Sequence, residues 1–86
     1  MEDTMYYLQA KASYLSKLNQ SIKTDTKRLS NLCNEMGQNW DSRENLEGIN
    51  NIAGMITSLR EYSRNLDKYI AYLLKSAEAY KEADDE

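Results

Sequence analysis

Leu8, Leu15, Ile22, Leu29 and Met36 recur at strict seven-residue intervals, and Ile52, Leu59, Leu66, Leu73 and Tyr80 do so again in the second half of the chain. Seven is an odd number, so on a strand this spacing throws successive side chains to opposite faces. On an α-helix it returns them to nearly the same azimuth. Ala12, Leu18, Leu32 and Cys33 stand three or four places from the first row, and Ile49, Ile56, Ser63, Ile70 and Ala77 form a second row beside the other. Paired rows of this kind are the signature of helices that bury a stripe against a neighbour. There is no proline and there are three glycines, too few turn residues for a set of hairpins of strands. The fold class expected is all-α.

The rows predict one helix over about residues 4–36, a turn over about 37–42, a second helix over about 43–83 and an acidic tail at 84–86. At a rise of about 1.5 Å per residue the first helix is a rod of about 50 Å. Asp3 or Thr4 is placed to cap its start, and Gly37 to end it in the left-handed conformation. Asp41 or Ser42 then caps the second helix, and so short a connection sets the two helices antiparallel. A second candidate turn lies at Leu46-Glu47-Gly48. Gly54, inside the second helix, costs about 1 kcal/mol relative to alanine and suggests close helix approach or simple tolerance.

In a single-domain chain of 86 residues only about 60% of the unfolded surface is buried on folding. The one cysteine cannot form an internal disulfide, and Cys33 reads as a small buried hydrophobe. Stability must then come from packing or from a partner. The apolar positions of the second helix span an arc of about 160°, wider than one neighbour covers. Ile49, Met55, Ile56, Tyr62, Tyr69 and Leu74 are the expected partner interface, with Ile56 and Leu74 on one flank and Met55, Tyr62 and Tyr69 on the other left partly wet. A second hairpin covering them, from a homodimer or a heterodimer, gives a four-helix bundle.

Composition narrows the function. Eleven Lys and Arg against fourteen Asp and Glu give a net charge of −3, unlike a nucleic-acid binder held by a dense basic face. With no histidine, no glycine-rich phosphate loop and no Cys-His pair, the expectation is no enzyme, no metal, no cofactor and no small-molecule substrate. The first residues, Met1-Glu2-Asp3-Thr4, are acidic where a secretory leader is basic, and no apolar run approaches about 20 residues. Synthesis in the cytoplasm without a cleavable leader is expected.

Two features point to recognition. Trp40, the only tryptophan, sits in the predicted turn, where it either folds back on the helix ends or enters a partner's groove. Near the end, Tyr80 and Asp84 are four apart and share a helical face, while Asp84, Asp85 and Glu86 oppose the helix dipole, so that fraying is expected past Tyr80. Two long helices, a tryptophan turn and a terminal Tyr-x-x-x-Asp resemble the WXG (ESAT-6-like) small proteins of type VII secretion, over the whole chain. Trp40 matches the family's tryptophan, Ser42 stands where its glycine falls, and Tyr80 with Asp84 matches its export motif. The serine points towards divergent relatives, the targeting factors that pair with the helical domain of LXG-type toxins. The resemblance implies a dimeric export module read by a membrane secretion ATPase, and either a secreted substrate or an escort for a larger effector. The alternatives are a needle-like structural subunit and a cytoplasmic adaptor coiled coil.

Overall fold

The computed structural model describes residues 2–39 and 43–85, with side chains described over 3–38 and 46–83. All of this is helical: α1 spans Glu2–Asn39 and α2 spans Arg43–Asp85. The two helices pack against each other as a hairpin, in two compact units. One, the chain-end unit, joins Met1–Gln20 with Arg64–Glu86; the other, the mid-chain unit, is Ser21–Ser63. The first residues pair with the last, so the helices are antiparallel neighbours.

Within each unit burial follows an alternating three- and four-residue step. Calling the two inward rows a and d, the chain-end unit buries Ala12 and Asn19 at a positions of α1, and Ala77 (a) and Leu73 (d) of α2. Leu8, Leu15, Leu66 and Ile70 beside them are half-buried. The mid-chain unit buries Thr26 and Cys33 of α1 with Ile56 and Ser63 of α2, flanked by half-buried Ile22, Leu29, Ile52 and Leu59. Cys33 is a free, buried thiol. The d rows are large and branched, whereas the α1 a row is small, so bulk on one helix meets hollows on the other.

Several expectations change. Leu18 and Leu32 are exposed, and Asn19 and Thr26 hold the seam positions instead. The step of the helix decides this: Ala12, Asn19, Thr26 and Cys33 are seven apart, and the two leucines lie one place off that line. Gly37 does not end α1, which continues to Asn39, and among the described residues no glycine has positive φ. Asp3 and Thr4 lie inside the first turn of α1, after its start at Glu2. Residues 46–48 are continuous helix, and α2 remains helical to Asp85, beyond the predicted fraying point. A Cβ added at Gly54 meets nothing within 4 Å, so no helix approaches it closely.

Candidate interaction surface

The seam has two edges, one made by the residue after d (position e) and the other by the residue before a (position g). In the chain-end unit the e edge is visible directly. A groove of about 380 Å³ is lined by Gln9, Ala12, Ser13, Ser16, Lys17, Ile70 and Leu74. Gln9 and Ser16 are e positions of α1 and Leu74 is an e position of α2, so both e rows border the same side. Asn19, 2% exposed, donates from Nδ2 to Oδ1 of Asp67, another e residue, at 2.7 Å. Because an amide with no partner in a seam loses its water at a cost of about 1–3 kcal/mol, this bond is what makes a buried asparagine tolerable.

The g rows therefore share the opposite side. Here the chain-end unit presents Leu18 and Tyr69 at g positions and Tyr7, Tyr14 and Tyr72 at the neighbouring c positions, all exposed, with Tyr14 at 68% and Tyr72 at 64%. The rings of Tyr69 and Tyr72 stack with centroids 6.4 Å apart and planes 22° apart. Lys11 sets its Nζ 5.9 Å from the centre of the Tyr7 ring, a cation–π arrangement. At about 200 Å² of side chain per tyrosine, the four rings leave of the order of 500 Å² uncovered, the size at which an apolar patch on a monomer is commonly functional.

The mid-chain unit has a smaller counterpart. Leu32 from α1 and Met55 and Tyr62 from α2 are exposed on its g edge, and a hollow of about 350 Å³ lies between Asp25, Arg28, Leu29 and Leu32. Asp25 and Arg28 pair with each other at 3.8 Å across one turn, both well exposed. Thr26 meets its own need locally, donating from Oγ1 to the carbonyl of Ile22 at 2.6 Å. Among the described residues every buried side-chain nitrogen or oxygen has a hydrogen-bond partner.

Of the six residues expected at the partner interface, four are exposed: Met55, Tyr62 and Tyr69 on the g edge and Leu74 on the e edge. Ile56 departs from the expectation. At 5% exposure it is used up within the hairpin and not left wet, and Ile49 is half-buried on the same a row. The contribution of α1, Tyr7, Tyr14 and Leu18, is the part that sequence reasoning missed, although these residues flank the d row of Leu8 and Leu15 at helical spacing. Tyr80 is the last d residue, 37% exposed. Its backbone and that of Asp84 belong to α2; the side chain of Asp84, and all of Trp40 and Ser42, lie outside the described residues.

The two hollows are open grooves beside the seam, not enclosed cavities. Among the described residues no three His, Cys, Asp or Glu side chains gather as a metal site, and no helix is long and apolar enough to cross a membrane. Comparison with family models, with curated proteins and with solved structures gives no match.

Proposed function

We propose that this chain is a protein-interaction module of type VII secretion. In this reading it forms one half of a four-helix bundle with a second helical hairpin, either another copy or the helical domain of a larger LXG-type effector. It travels as an exported substrate or serves as a targeting factor, and its work is recognition without catalysis or a cofactor. Tyr80 and Asp84 form the signal presented to a membrane secretion ATPase, and Trp40 with Ser42 form the turn motif read alongside it.

One observation carries the reading: an antiparallel hairpin whose seam is already closed still exposes Tyr7, Tyr14, Tyr69 and Tyr72 on one edge of the unit that also holds Tyr80. Aromatic residues are favoured at interfaces because they supply large contact area while ordering few rotatable bonds. Tyr80 is well suited to a signal that depends on pairing. It ends the d row at 37% exposure, so part of its surface is covered and part is left for a partner or a reader.

The test is export from the native cell. Tyr80→Ala is expected to stay helical by circular dichroism yet to disappear from the culture supernatant. A folded Tyr80→Ala protein that is exported at the parent level removes the signal from the proposal.

A further inference from the structure

We infer that the g edge of the chain-end unit is a docking face for an amphipathic helix of a different protein, one whose apolar stripe is flanked by carboxylates. This rests on the reading of the hairpin as half of a bundle and names the chemistry of the other half. The occupant is helical because the face is itself ridged at helical spacing: Tyr7, Lys11, Tyr14 and Leu18 rise along α1 in steps of four, three and four, beside the stacked pair Tyr69 and Tyr72 on α2. Ridges of this kind accept the grooves of another helix.

Charge selects its flanks. Among the described residues of this unit, the g positions and the c positions next to them include no aspartate or glutamate and one cation, Lys11, which lies over Tyr7. No carboxylate among the described residues pairs with it. One step further out, Lys68 and Lys75 of α2 extend the positive rim, opposed by Asp3 and Glu82 at the outer ends of the two segments. A second copy laid on this face sets lysines against lysines. A helix carrying glutamates beside its apolar stripe instead meets the three ammonium groups of Lys11, Lys68 and Lys75 and gives the tyrosine hydroxyls acceptors. The uncovered tyrosine area, of the order of 500 Å², is a large part of the roughly 800 Å² that each partner contributes to a standard interface.

The test uses the full-length, isotopically labelled protein and two synthetic helical peptides of about three heptads with the same leucine stripe. One is flanked by glutamates and the other by lysines. The glutamate peptide is expected to bind at least about tenfold more tightly, with affinity falling as salt rises. It should shift the resonances of Tyr7, Tyr14, Tyr69 and Tyr72 and spare those of Ser16 and Leu74 on the opposite edge. A Lys11→Glu, Lys68→Glu double variant, changed only at exposed positions, should reverse the preference. Equal binding of the two peptides, binding of neither, or shifts centred on Ser16 and Leu74 overturns the proposal. So does self-association through the same tyrosines as the protein is concentrated, which makes a second copy the occupant, or a stronger response to anionic lipid vesicles than to the glutamate peptide. If the glutamate peptide docks as expected while Tyr80→Ala is exported normally, the face stands and the export role falls. If export is lost but the peptides are not distinguished, the role stands and the docking face falls.

Discussion

Asn19 shows how one polar side chain governs a small seam. Its amide is almost fully enclosed and is held by Asp67 on the other helix. Asn19→Ala removes a bond to an ionised group and leaves a gap, and should destabilise the hairpin by about 1.5–3 kcal/mol in urea titrations. Asn19→Asp tests the electrostatics with a definite sign. It places a second carboxyl beside Asp67, and like charges raise the affinity of the pair for a proton above that of the unfolded chain, where a free aspartate titrates near about 3.9. The variant should therefore be closest to the parent below that pH and lose stability as pH rises through the raised value, with a deficit at neutral pH of about 3 kcal/mol. A stability difference from the parent that stays flat between acid and neutral pH would show that Asp67 does not face position 19.

At the scale of the helix, the glycines behave as ordinary interior residues. Gly48 and Gly54 lie inside α2 without positive φ, and an added Cβ has open space at both. Gly48→Ala and Gly54→Ala should each stabilise the fold by about 0.5–1 kcal/mol, because alanine loses less backbone freedom on folding. In a domain of this size each kcal/mol raises the thermal midpoint by about 4–8 °C, readily seen by circular dichroism. The helices themselves were legible from the two seven-residue rows and the lack of proline. Their ends were less so, since Gly37 signals a stop by residue type while its surroundings allow the helix to continue. The composition of the seam was also only partly legible. Leucine attracts assignment to a core, yet geometry admits Asn19 and Thr26 and turns Leu18 and Leu32 outward, because each polar group finds a partner within the hairpin. The exposed edge followed from that same shift, which is why Met55, Tyr62 and Tyr69 were foreseen and the α1 tyrosines were not.

For the molecule as a whole, the two units differ in how far apart in sequence their partners lie. The mid-chain unit closes over a short span of chain, whereas the chain-end unit unites residues up to 20 with residues from 64 onward. Closing the longer span costs more chain entropy, though the cost grows slowly with length. Amide hydrogen exchange should accordingly be slowest around Ile56 and Cys33 and grow faster toward Leu8 and Ala77. Uniform protection along both helices would mean that the two units open together. The same arrangement fixes how the protein responds to being pulled. The start of α1 and the end of α2 belong to one unit, so tension between them draws its two helical segments apart rung by rung, a zipper that yields at low force where segments pulled along their length would resist in shear. The clasp between Asn19 and Asp67 is a polar catch that such a pull must release within this unit.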